Sequence, residues 1–245
     1  MAYASTPEGR KSLNRAMQRA AALYAPPPVL TVSQWADRYR KLSPEASAEH
    51  GQWITSRAEY QRGFMDAIND PAIETVVAMW SAQSGKTEAI NNMIGYYIDQ
   101  DPSPMLIVQP TEQMAEAWSK DRLAPMLRDT PCLRGKVKDP RSRDSGNTLL
   151  HKQFPGGHIT AIGANAPASL AGRPIRIVFG DEVDRYPASA GEEGDPVSLA
   201  RVRARNFWNR KFIWTSTPTI RGASRIERLY ESSDQRDRPL RTTRS

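Results

Sequence analysis

"IETVVAMWSAQSGKTEA", residues 73–89, is the stretch on which the fold turns. A compact apolar run of strand length, residues 73–80, passes into the polar loop "SAQSGKT". A helical stripe of Ala89, Ile90, Met93, Ile94, Tyr97 and Ile98 follows. The loop ends in Gly85-Lys86-Thr87. Such a triplet arises by chance in roughly one chain in ten of this length, so alone it says little. Its position says more. Where a buried strand turns into a helix, backbone N–H groups and the helix N-terminus point together at an anion. Lys86 would then reach the β- and γ-phosphates of a nucleotide, and Thr87 would ligate Mg²⁺. The usual spacing wants glycine at position 80, yet tryptophan stands there. A surface Lys-Thr pair at a helix start is the competing reading.

Further apolar runs flank this one. "PMLIVQP" (104–110), "GHITAIGA" (157–164), "IRIVFGDE" (175–182) and "KFIWTSTP" (211–218) read as four more strands. Residues 111–128 read as a helix disturbed by Pro125, and 131–149 as a surface excursion rich in charge, Gly and Pro. Apolar strands alternating with helices predict a parallel sheet covered on both faces. Upstream, Leu13, Ala16, Met17, Ala20 and Tyr24 predict a short amphipathic helix with a basic face, ended by the prolines of "APPPV" (25–29). Residues 30–72 read as a mixed lead-in.

Composition narrows the class. Of 245 residues, 39% are hydrophobic and 25% charged, as in ordinary globular proteins. No apolar run reaches the roughly 18 residues that a membrane span needs, and the N-terminus lacks the apolar core of a secretory signal. Cys132 is the only cysteine and the histidines at 50, 151 and 158 are scattered, so neither a disulfide framework nor a zinc site is expected. These features fit a reducing, cytoplasmic setting. The net charge of +7 sits at the ends: +3 over residues 1–24 and +8 over 201–245, leaving −4 between them. Such patches suit a polyanion such as a nucleic-acid backbone, or are simply solvated.

Two more stretches carry chemistry. Ile177-Val178-Phe179-Gly180-Asp181-Glu182 places two carboxylates at the carboxyl end of a buried strand, where ligands bind in parallel sheets. Asp181 would hold Mg²⁺ through water, and Glu182 would orient and deprotonate an attacking water. A solvated acidic turn is the alternative, with Asp184 read as structural. In "WTSTPT" (214–219), small hydroxyl residues end a strand beside the expected γ-phosphate, where they could sense its loss and pass the change onward.

Seven segments in one order resemble the large terminase subunits of tailed phages, lambda-type branch. They are "LTVSQWADRYRKLSPEAS", "YQRGFMDAINDP", "SAQSGKTE", "VQPTEQMAEAWSKDRLAPML", "GANAPASLAGRPIRIVFGDEVDRYP", "EGDPVSLARVR" and "TSTPT", spread over residues 30–232. The resemblance implies a P-loop NTPase of the additional-strand, catalytic-Glu type. It implies an ATP- and Mg²⁺-dependent motor that packages double-stranded DNA into a procapsid. The implied partners are the portal protein, the terminase small subunit and further copies of the chain in a ring. The implied place is the cytoplasm of the infected bacterium, docked transiently on the portal, with no membrane involved. Phosphate loops of this family commonly read Ser-x-Gln-x-Gly-Lys-Thr without the first glycine. Ser81, Gln83, Gly85, Lys86 and Thr87 match that pattern, with Ser84 between. The first glycine serves a tight turn rather than the chemistry. Tyr60 and Gln61 fall where related motors contact adenine, although Tyr60 could equally be a core aromatic beside Phe64. Thr215, Ser216 and Thr217 match the family's coupling motif.

Two departures follow. Many terminases carry arginine where this chain has Ala82, so Arg173, Arg141, Arg143 or a neighbouring subunit would neutralise the transition state. The family's nuclease domain should come after the coupling motif, but the sequence stops at Ser245. The expected organisation is a basic helix and Pro-rich linker (1–29), a motor domain (30–232) and a basic linker or truncated end (233–245), with no nuclease activity from this chain. A helicase-like DNA translocase and a non-catalytic assembly module with a degenerate nucleotide site remain alternatives.

Overall fold

A computed structural model describes residues 7–24, 29–45, 49–137, 147–166 and 174–235. The chain forms two compact units, residues 1–30 and 31–245. The first holds helix α1 (Pro7–Tyr24), with Pro7 and Glu8 in its first turn, where a missing N–H and a negative charge both suit the helix dipole. Leu13 and Met17 are exposed on it, as are Arg10, Lys11 and Arg15. The proline stop expected at 25–28 lies outside the described residues.

The second unit opens with α2 (Val32–Tyr39), whose N-terminus is closed by a reciprocal capping box between Thr31 and Gln34. A short hairpin follows, β1 (Lys41–Leu42) paired with β2 (Gly51–Gln52), and then α3 (Tyr60–Asp66). Asp66 ties α3 to α2 by accepting from the Ser33 N–H and hydroxyl.

The main sheet has six strands: β3 (Thr75–Met79), β4 (Pro104–Gln109), β5 (His151–Phe154), β6 (Gly157–Gly163), β7 (Ile177–Asp181) and β8 (Lys211–Ser216). Their spatial order is β3-β8-β7-β4-β6-β5, and all neighbours are parallel except β5 and β6. The five expected strands are present, one or two residues shorter at their ends. β7 and β8 are buried at every position, as befits parallel strands covered on both faces. The sixth strand, β5, escaped the sequence reading for the same physical reason. It is an edge strand with the polar sequence His-Lys-Gln-Phe, so it shows no apolar run.

Helix α4 (Lys86–Asp99) follows the loop after β3 and packs against α2, where the Trp35 ring fills the space that a Cβ at Gly95 would occupy. The helix expected over 111–128 is in three pieces. α5 (Glu112–Trp118) widens into a π-helical turn (Ser119–Leu123) before α6 (Ala124–Asp129). Pro125 explains this, since it has no N–H to donate four residues back and its ring would crowd the Asp121 carbonyl. The remaining helices, α7 (Pro196–Val202) and α8 (Arg225–Glu231), flank β7 and β8. Leu106, Val108, Val178, Phe212 and Trp214 lie in the core beneath them. Among the described residues, no helix is long and apolar enough to cross a membrane.

Candidate active site

Strand order brings the three motifs together. β8 lies between β3 and β7, so the additional strand expected of this NTPase class is present. The register sets Met79 beside Ser216 and Asp181 beside Thr215. The phosphate loop, the hydroxyl triplet and the acidic pair therefore leave the same edge of the sheet side by side, where ligands bind in open α/β sheets.

The loop explains its own unusual spacing. Gln83 and Gly85 are its left-handed residues, with φ of 59° and 77°, whereas Trp80 does not adopt a positive φ. A glycine at 80 is thus not needed for the turn. Trp80 instead extends the ladder one step, its N–H donating to Ser216 O at 3.2 Å. Its ring meets Tyr60 edge-on at 5.4 Å and Phe64 at 5.0 Å. At Gly85 a side chain is excluded twice, by the positive φ and because a Cβ would stand 2.5 Å from Gln61 Nε2. The Ser84 hydroxyl donates to Ser81 O at 2.8 Å. Ser84 O in turn accepts from Tyr60 Oη at 2.7 Å and Gln61 Nε2 at 2.9 Å. Tyr60 and Gln61 thus touch the loop backbone directly. Gln61 Oε1 is buried and accepts no hydrogen bond from the described residues. It is a free acceptor next to the loop.

Lys86 is 5% exposed, and its ammonium is shared among Ser81 O (2.9 Å), Thr217 Oγ1 (2.9 Å) and Glu182 Oε1 (3.4 Å). Asp181 is buried and accepts from Thr87 Oγ1 at 2.9 Å, Thr215 Oγ1 at 2.8 Å and, at 3.5 Å, Gln109 Nε2. Burial pushes the Asp181 carboxyl above the usual carboxylate range. Hydrogen bonds from Thr215 and Thr87 pull it back only in part, and the neighbouring Glu182 adds to the rise. Such a carboxylate is short of positive charge. With Thr87 Oγ1 it offers two hard oxygen donors on one side of the loop, a set that suits Mg²⁺ completed by water and phosphate. Glu182 sits in the left-handed region (φ 52°, ψ 50°), a conformation costing on the order of 1–3 kcal/mol and typical of functional turns. Its carboxylate lies 3.4 Å from the Thr217 N–H and 3.5 Å from Ser216 Oγ.

The hydroxyl triplet thus divides its contacts. Thr215 touches Asp181, Ser216 and Thr217 touch Glu182, and Thr217 also holds Lys86. Arg141, Arg143 and Arg173 lie outside the described residues. Three participants were not singled out from sequence. Gln109, at the end of β4, reaches Asp181; its position at the carboxyl end of a buried strand was the available signal. Asp184 accepts from Thr219 and Ile226, and Arg225 donates to Val183 O and Pro187 O. Asp184, read from the sequence as structural, stands beside the acidic pair; Arg225 stands in no quoted segment.

Residues 47–240 match the family described as phage terminase large subunit gpA, ATPase domain. The large terminase subunit of Enterobacteria phage P21 is 30% identical over 213 residues, covering 86% of this chain and 33% of that protein. The corresponding subunit of Escherichia phage lambda is 29% identical, with the same coverage. The chain therefore spans about a third of the length of these relatives. Among solved structures, the large terminase ATPase domain of Thermus phage P74-26 is 20% identical over 65% of this chain and 64% of that one, with a TM-score of 0.47. That likeness is too distant to bear on the site, and the sheet order stands on its own. The match over most of the chain places this protein in the lambda-type family of phage large-terminase ATPase domains.

Proposed function

We propose that this chain hydrolyses ATP as the motor domain of a large terminase, and that in the longer protein this drives double-stranded DNA into a procapsid. The observation that carries the reading is the meeting of Thr87 with Asp181 at 2.9 Å while Lys86 lies 3.4 Å from Glu182. The loop that carries Lys86 and Thr87 and the acidic pair of Asp181 and Glu182 face each other there.

In this reading the loop N–H groups of residues 83–87 and the N-terminus of α4 cradle the phosphates, with Ser81 and Ser84 shaping the loop. Lys86 leaves its protein partners for the β- and γ-phosphate oxygens. Thr87 and Asp181 would hold Mg²⁺, which would supply positive charge against the phosphates. Glu182 accepts the proton of the attacking water. Tyr60 flanks the base, and Gln61 Oε1 accepts from the adenine amino group. Thr215, Ser216 and Thr217 register the change in phosphate charge through Asp181, Glu182 and Lys86. The cation that neutralises the transition state comes from Arg173, Arg141 or Arg143, or from a neighbouring copy in a ring. The portal protein and the small subunit are the partners expected in the host cytoplasm, and the whole protein would also cut DNA.

Glu182→Gln separates binding from chemistry. It should lower kcat by about 10²–10⁴-fold while leaving ATP affinity within about twofold. Unchanged turnover would remove Glu182 from the role of base.

A further inference from the structure

Asp184 stands three residues beyond Asp181 and bonds to the segment that leaves β8. Its carboxylate takes hydrogen bonds from the chain that leaves β8: from Thr219 N at 3.0 Å, Thr219 Oγ1 at 2.9 Å and Ile226 N at 2.6 Å, with the Ser224 side chain as a further donor. Its own N–H donates to Ser216 Oγ at 3.2 Å. The opposite segment answers with a charge of its own. Arg225 donates to Val183 O at 2.6 Å and Pro187 O at 3.0 Å, and pairs with Asp195 at 3.1 Å. The turn after β7 (182–187) and the segment after β8 (216–226) therefore grip each other in both directions, one charged side chain from each.

The two gripped segments carry the reacting groups. The turn bears Glu182 in its left-handed conformation. The segment bears Thr217, whose hydroxyl accepts from Lys86. Beyond Thr219 the chain makes a tight loop, with Ser224 N donating to Ile220 O and Gly222 N to Glu227 Oε2. Ile220 is 72% exposed at its tip. The bonds from Ser224 and Ile226 serve the start of α8; the two bonds from Thr219 fasten the tail of the coupling strand as well.

We propose that Asp184 is a positioning residue that makes the Glu182 turn and residues 216–226 one moving part. It aligns Glu182 for the attacking water and carries nucleotide-dependent movement of Thr217 to the exposed loop at Ile220–Arg221. This rests on the ATPase reading above.

The test compares the wild-type chain with Asp184→Asn and the milder Thr219→Val. Three quantities are measured: binding of a fluorescent ATP analogue, kcat and KM for ATP, and hydrogen exchange of residues 219–231 with and without nucleotide. The wild type should bind, turn over and change its exchange on binding. Asp184→Asn should keep affinity and KM within about twofold, lose about tenfold in kcat, and lose the nucleotide-dependent exchange change. Thr219→Val should shift the same two readouts in the same direction by about threefold. A variant that only melts earlier, with kcat and exchange response intact in the folded protein, overturns the proposal. So does Thr219→Val behaving as wild type if Asp184→Asn does not fold. A wild type that binds no nucleotide defeats the ATPase reading itself, and this inference with it.

Discussion

The phosphate loop and the acidic turn face each other across β8, but they are held in opposite ways. Ser81, Ala82 and Gln83 are exposed, and neighbouring neutral groups brace the loop, the Tyr60 hydroxyl, the Gln61 amide and the Trp80 ring, beside its own bonds from Ser84 and Lys86 to Ser81 O. The turn at 182–187 is fixed by charged groups, Asp184 from within it and Arg225 from the start of α8, with Tyr186 Oη anchored on Val108 O. An anion-binding loop must leave its N–H groups free to meet the ligand. A base must hold one geometry through the reaction, because loose placement forfeits rate. The contrast teaches that the missing glycine at 80 matters little: the loop's left-handed positions are Gln83 and Gly85, and its neighbours hold the rest of its shape.

The sharpest way to break that comparison is to put the missing glycine in. Trp80→Gly removes two edge-to-face ring contacts along with its hydrophobic area. It should destabilise the protein by about 2–3 kcal/mol and weaken nucleotide binding rather than improve it. A thermal melt and an ATP titration check both. Tighter binding would mean that the loop needs glycine at 80 after all. Gly85→Ala comes next. The left-handed φ and the encroachment on Gln61 together cost about 1–3 kcal/mol, read chiefly as lost nucleotide affinity. A variant with native affinity would show that the Gln61–Ser84 bond is dispensable.

The smallest effects sharpen the other side. Asp181 and Asp184 are pushed in opposite directions. Burial raises Asp181. Burial opposes but does not overcome the hydrogen bonds from Ser224, Ile226 and Thr219 that hold Asp184 below the usual range. A raised native pKa means that stability falls as pH rises through it. Asp181→Asn should therefore melt a few degrees higher than wild type at neutral pH, at about 2–4 °C per kcal/mol. That gain should vanish below about pH 4, where both states are protonated. A lowered pKa means the reverse: Asp184→Asn should melt lower at neutral pH, with the deficit fading as pH falls below about 4. Melting curves of both variants at acid and neutral pH settle the signs, and matching signs would sink the contrast.

Much of this was legible in the sequence, for identifiable reasons. β4, β6, β7 and β8 inside the sheet and β3 at its other edge all carry apolar runs and could be read, whereas β5, with the polar sequence His-Lys-Gln-Phe, could not. Lys86, Thr87, Asp181, Glu182 and Thr215–Thr217 stand in short sequence patterns of the kind that contact with one small ligand would set. The grip of Asp184 on Thr219 and Ile226 joins residues 35 and 42 positions apart through an ordinary carboxylate. No local pattern encodes such a contact, because only the placing of β8 beside β7 creates it. The bond from Gln61 to Ser84 was hidden likewise, until α3 was seen against the loop.

The most direct measurement is steady-state ATP hydrolysis by this chain beside Lys86→Ala, with and without double-stranded DNA. The account predicts turnover that requires Lys86 and rises with DNA. A wild-type rate equal to that of Lys86→Ala, with no Lys86-dependent ATP binding, would contradict it and leave the loop an ornament of the fold.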